Sequence, residues 1–110
     1  MKIAIIGSRN IHVENLNEYL PQSITEIVSG GAKGIDTDAQ EYANENNIKM
    51  TVFLPDYSKY GRGAPIVRNK QIVDYADEVI AFWDGKSRGT LSVIEYCKKQ
   101  NKKIKVITLS

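Results

Sequence analysis

The chain has 110 residues, 42% of them apolar and 25% charged, which is the size and balance of one soluble globular domain. A formal charge of +2 is too small to mark a nucleic-acid binder. A single cysteine, Cys97, and a single histidine, His12, exclude an internal disulfide and a zinc site of standard ligand spacing.

The chain alternates short apolar runs with amphipathic stretches. Lys2 to Ile6 reads as a buried strand. Val13, Leu16 and Leu20 fall on one face of a short helix that Pro21 ends. Ile24 to Val28 reads as a second strand. Ile35, Ala39, Tyr42 and Ala43 have the spacing of a helix packed on a sheet, with Thr37 and Gln40 as a capping box at its start. Met50 to Leu54 is a third strand, and residues 55–64 form a loop punctuated by Pro55, Gly61 and Gly63.

Pro65 suits the first position of a helix, where its missing N–H costs nothing. That helix buries Ile66 or Val67, then Ile72, Val73 and Ala76. Glu78 to Trp83 is nearly all apolar, as a central parallel strand should be. Residues 84–90 form a loop, Leu91 to Lys99 a last helix and Ile104 to Leu109 a fifth strand. The lysines from Lys98 to Lys105 read as a solvated helix end, where cations suit the dipole. No apolar run reaches the length of a signal peptide or membrane span, so a cytoplasmic protein is expected.

Five strands separated by helices predict a single α/β domain over residues 1–110, a Rossmann-like three-layer sandwich with a parallel sheet ordered 3-2-1-4-5. Ligands of such sheets bind where the order reverses, here between strands 1 and 4. Three loops are therefore aimed at one crevice. The first is Gly7-Ser8-Arg9-Asn10: a sharp turn, a hydroxyl and a planar cation suited to phosphate or carboxylate. The second runs from Ser29 through Gly30, Gly31 and Gly34 to Asp36, and its exposed amides lead into a helix N-terminus. The third, Asp84-Gly85-Lys86-Ser87-Arg88-Gly89-Thr90, is built the same way. Two such loops side by side suit a ligand with a phosphate and a sugar. One alone reads as a tight strand-to-helix connection.

Neither G-x-G-x-x-G nor the P-loop pattern is present, so no dinucleotide cofactor is expected. Arg68 and Asn69 lie in the first turns of the third helix, beside the crevice. Asp36 is expected to cap its helix. Trp83 and Phe82 belong to the strand core, although Trp83, at the strand's end, is also placed to stack on a base. Tyr57, Lys59, Tyr60 and Arg62 stand in the loop that would close over a ligand.

The segments GSRN, VSGGAKGID, VRN and AFWDGKSRGT, in that order and spacing, resemble the SLOG superfamily, and its small stand-alone YspA branch above all. The likeness spans the whole chain. It implies a nucleotide-binding sensor or adaptor module of bacterial or phage origin. The LOG phosphoribohydrolases of the same superfamily carry a GG-x-x-G loop, an arginine before the fourth strand, and PGG-x-GT with a glutamate three residues later. Ser29 to Gly34, Arg68 and Gly85 to Thr90 resemble these motifs. The position of the glutamate, however, is Val93, and the nearest acid is Glu95. Nucleoside-monophosphate hydrolysis is thus the alternative reading, with Arg68, Asp36 and Glu95 as candidate catalytic groups. The DNA-processing protein A core also resembles Ser29 to Asp36 and Pro65 to Asn69, which makes single-stranded DNA binding a third reading, without the basic surface it wants. Relatives pair through helices near the site, so a homodimer is expected by analogy.

Overall fold

The computed structural model describes residues 1–8, 11–30 and 34–109. Five parallel strands form one sheet in the order β3-β2-β1-β4-β5: β1 Lys2–Gly7, β2 Glu26–Ser29, β3 Lys49–Val52, β4 Glu78–Trp83 and β5 Lys103–Thr108. The expected α/β architecture and strand order are thus observed. β1 is central: it pairs with β2 on one side and with β4 on the other, with Gly7 opposite Phe82 at its end.

The helices are α1 Ile35–Glu45, α2 Tyr57–Tyr60, α3 Ala64–Tyr75 and α4 Arg88–Lys99. Alternate residues of the central strands face opposite layers. On one face Ile3, Ile5, Ile27, Ile80 and Phe82 pack with Ile35, Ala39 and Ala43 of α1. On the other, Ala4, Ile6, Val28, Val79 and Ala81 pack with Ile72 and Val73 of α3 and with Val93, Ile94 and Cys97 of α4. No helix among the described residues is long and apolar enough to cross a membrane.

The structure corrects several local expectations. The helix expected around Val13, Leu16 and Leu20 is reduced to a single 3-10 turn, Leu16–Glu18. Val13 and Leu16 are still buried. Here the backbone bonds elsewhere, Ile11 N–H to the Ser8 carbonyl at 3.1 Å and Val13 N–H to the Asp38 carboxylate at 2.7 Å. The three-residue apolar spacing was satisfied by a chain lying on α1, not by a helix.

Neither the Thr37–Gln40 capping box nor Asp36 caps α1. Its N-cap is Gly34, at φ +80°, and Asp36 is the second helical residue. In the expected loop 55–64 a single helical turn, α2, forms on an Asp56 cap whose carboxylate accepts from the Lys59 amide. Helix α4 starts at Arg88 rather than Leu91, behind a Ser87 cap. In α3 Ala64 precedes Pro65, and of the two alternatives for burial Ile66 is 53% exposed while Val67 is half-buried. The lysines are partly engaged: Lys102 Nζ donates to the Ala76 carbonyl at the end of α3, and Lys103 pairs with Glu78 at 3.0 Å.

Candidate functional site

The carboxyl ends of β1, β2 and β4 meet at the reversal of strand order, and the chain makes a cleft there of about 220 Å³. Its apolar floor is Ile6, Ile72 and Val93. Its walls are Gly7, Gly30, Asp36, Pro65, Arg68, Asn69, Ser87, Gly89 and Thr90.

Local packing brings these groups together. β1 runs so close to the start of α1 that a Cβ on Gly7 would lie 2.6 Å from Ile35 Cγ2 and 2.9 Å from the Phe82 carbonyl oxygen. Only glycine fits. On α3, the residues Pro65, Arg68, Asn69 and Ile72 fall at i, i+3, i+4 and i+7, one helical face turned to the cleft. Gly89 and Val93, four apart on α4, do the same from the other side.

Arg68 is half-buried and doubly tied. Its Nη1 donates to the Gly30 carbonyl at 2.8 Å and its Nε to Asn69 Oδ1 at 2.8 Å. Burial pulls the guanidinium below its ordinary pKa, and the negative charge of Asp36 opposes that shift. The group remains a fixed cation. Asp36 is buried in the first turn of α1, so the site places a carboxylate and a guanidinium in one small cleft.

The loop after β4 is held by its own side chains. Asp84 Oδ1 accepts from the amides of Lys86 at 2.8 Å and Ser87 at 2.7 Å. These bonds, the Ser87 amide first, hold the carboxyl below its ordinary pKa. Trp83 Nε1 donates to the Ser87 carbonyl at 3.0 Å. The indole polar edge is thus engaged with its own loop. Ser8 is buried, and its hydroxyl accepts from the Asp84 amide at 3.3 Å, stitching the first loop to the third. Ser87 Oγ accepts from the Thr90 amide at 3.4 Å. The amides at the front of α4 that lie before Thr90 have no helical acceptor by position.

The residues expected from sequence sort accordingly. Gly7, Gly30, Asp36, Arg68, Asn69, Ser87, Gly89 and Thr90 line the cleft. Ser29 is fully buried, and its carbonyl accepts from the Phe53 amide at 2.9 Å. Gly34 turns the chain into α1, and its carbonyl accepts from the amides of Thr37 and Asp38. Asp84 and Gly85 shape the third loop instead of lining the cleft, and Glu95 is exposed on α4. Arg9 and Gly31 lie outside the described residues. Sequence reasoning missed Ile6, Pro65, Ile72 and Val93 as lining residues, and Ile6 and Ile72 read as plain core. The signal was there in the four-residue step from Arg68 to Ile72.

No group of three or more metal-ligating side chains gathers among the described residues. A family model described as YspA, cpYpsA-related SLOG family matches residues 1–60. No curated protein and no solved structure matches the chain.

Proposed function

Because the chain belongs to the YspA, cpYpsA-related SLOG family, whose membership points to a nucleotide-related binding or processing role, we propose that the cleft binds a nucleotide or nucleotide-derived ligand and that the protein acts as a sensor or adaptor module. The observation that carries this reading is the convergence of Arg68, Asn69 and the front of α4 on one cleft at the strand-order reversal. An anionic group there meets a tethered guanidinium and the positive end of a helix. Sugar hydroxyls find Asp36 and Asn69 as partners.

Binding is favoured over hydrolysis by one residue. The position where the phosphoribohydrolases carry a glutamate is Val93, which is buried at 3% exposure in the cleft floor. Asp36 is the one carboxylate among the described lining residues, so it is the acid/base group of the alternative, hydrolytic reading.

The test is a thermal-shift series with nucleoside mono-, di- and triphosphates, cyclic nucleotides and ADP-ribose, with free base assayed in the same samples. A ligand at a hundred times its Kd adds ~2.7 kcal/mol of stability, several degrees for a domain of this size. A shift without base release is the expected result. Base release identifies an N-glycoside hydrolase. No shift with any of them overturns the reading.

A further inference from the structure

A second cavity, about 250 Å³, shares Arg68 with the first. It is formed by Leu54, Asp56, Lys59, Tyr60, Ala64, Val67 and Gln71, besides Arg68. Helix α3 borders both. Ala64, Val67, Arg68 and Gln71, at i, i+3, i+4 and i+7, face this cavity, while Pro65, Arg68, Asn69 and Ile72 face the other. Arg68 stands on the ridge where the two faces meet.

Each cavity alone is smaller than the ~300 Å³ at which ordinary ligand pockets begin, and the two together fall within that range. Their linings differ in one group, an aromatic ring that only the second carries. The first offers a helix front, the amide of Asn69, the carboxylate of Asp36 and Arg68 over its apolar floor. The second offers the Tyr60 ring, the aliphatic side chains of Leu54, Ala64 and Val67, the amide of Gln71, the carboxylate of Asp56, and the cations of Lys59 and Arg68. A phosphate or sugar suits the first lining. A flat heterocycle with hydrogen-bonding edges suits the second, since every base has a π-face to lay on a ring and polar edges to read.

The second wall is also held in place ahead of any ligand. Asp56 caps α2 through the Lys59 amide and accepts from the Ser58 hydroxyl at 2.7 Å. Lys59 Nζ lies 5.3 Å from the centre of the Tyr60 ring. At the rim Leu54 is 68% exposed, an aliphatic side chain left without a core to pack on.

We propose that this second cavity is a nucleobase subsite, so that one nucleotide spans both cavities across Arg68, its phosphoribosyl part in the first and its base against Tyr60 in the second. The inference rests on the proposed function and extends it to the ligand's orientation.

Titration calorimetry with ribose 5-phosphate and with AMP, GMP, CMP and UMP tests it, on the wild-type chain and on Tyr60→Ala. Base stacking carries on the order of tenfold in affinity. At least one nucleotide should therefore bind about tenfold tighter than ribose 5-phosphate, and Tyr60→Ala should erase that ratio while ribose 5-phosphate binds as before. In ¹⁵N NMR spectra the Gln71 side-chain amide should shift with that nucleotide and stay still with ribose 5-phosphate. An unchanged ratio in Tyr60→Ala together with an unmoved Gln71 amide overturns the subsite and leaves the proposed function standing. Ribose 5-phosphate and nucleotides binding equally to the wild type does the same. No binding of any of the five probes overturns the subsite, and the full thermal-shift panel then decides the proposed function.

Discussion

The guanidinium of Arg68 reaches from α3 to the end of β2 and donates to the carbonyl of Gly30 at 2.8 Å. A Cβ built on Gly30 would stand 2.7 Å from that same Nη1. The glycine is therefore a seat for the arginine. The atom it would strike is the far end of a flexible side chain, so Gly30→Ala should fold, at a cost of about 1.5–3 kcal/mol for the lost charge-assisted hydrogen bond. It should still weaken nucleotide binding about tenfold, by swinging the cation away. Gly7→Ala meets Ile35 and the Phe82 backbone instead, and should cost about 1–3 kcal/mol in stability by overpacking. Urea unfolding and calorimetry on the two variants separate these effects. Unchanged nucleotide binding in Gly30→Ala would contradict the seat.

Arg68→Ala should weaken nucleotide binding by roughly 1.5–3 kcal/mol if the guanidinium makes one charge-assisted bond to the ligand. Arg68→Lys should recover little of it. A lysine has no planar fork to hold Gly30 and Asn69 at once and still face the cleft. Full rescue by lysine would mean that only the charge matters.

Ser87→Ala removes the side-chain cap of α4 and should destabilise the fold by about 0.5–2 kcal/mol. Because Ser87 lies between the Asp84 bonds and the helix, the same change should loosen the third loop. Faster amide exchange at Lys86 and Thr90 in NMR would register it. Exchange rates unchanged from wild type would show that Asp84 and Trp83 hold the loop without the cap.

Acid should destabilise the protein through Glu26. The carboxylate is buried and accepts from the hydroxyls of Thr51 at 2.6 Å and Tyr75 at 2.5 Å, with Lys49 at 3.7 Å. These partners, Thr51 first, hold its pKa below the ordinary 4.5. The unfolded chain takes up the proton at the ordinary value while the folded one resists it. The stabilisation is therefore complete above about pH 5 and is lost as pH falls below 4.5 toward the lowered value. Glu26→Gln should lower Tm at pH 7 and flatten its fall in acid. Some acid sensitivity should remain, since Asp77 and Asp84 are held down by backbone amides. A Tm profile parallel to wild type from pH 7 to 3 would exclude this role for Glu26.

The sheet was legible because each central strand is a continuous apolar run bounded by turn residues, and order followed from the parallel crossovers. The site was legible where glycines mark close approaches, as at Gly7 and Gly30. Capping was misread at α1 because a threonine with a glutamine three residues on matches a capping box, whereas the backbone there turns at φ +80° and requires Gly34. The short α2 turn was hidden between Pro55 and Gly61, turn residues that read as a loop, and its Asp56 cap was the overlooked signal. Nothing in the local pattern around residues 11–20 announces that Asp38, far along the chain, takes the Val13 amide.

The pairing of β1 with β4 also bears on how the protein is made. The amino-terminal half leaves a ribosome with one edge of β1 bare, because its partner, residues 78–83, has yet to be synthesised. Until then the Ser8 amide lacks the Phe82 carbonyl, and Ile5 and Ile3 lack the β4 strand beside them. A nascent or truncated chain of residues 1–60 thus presents an open, apolar strand edge, the kind of surface that aggregates. It also has no cleft to offer, since Arg68 and α4 come later. Ligands that engage Arg68 and α4 can therefore act only once residues 68–99 have been made, and cannot guide residues 1–60 as they emerge.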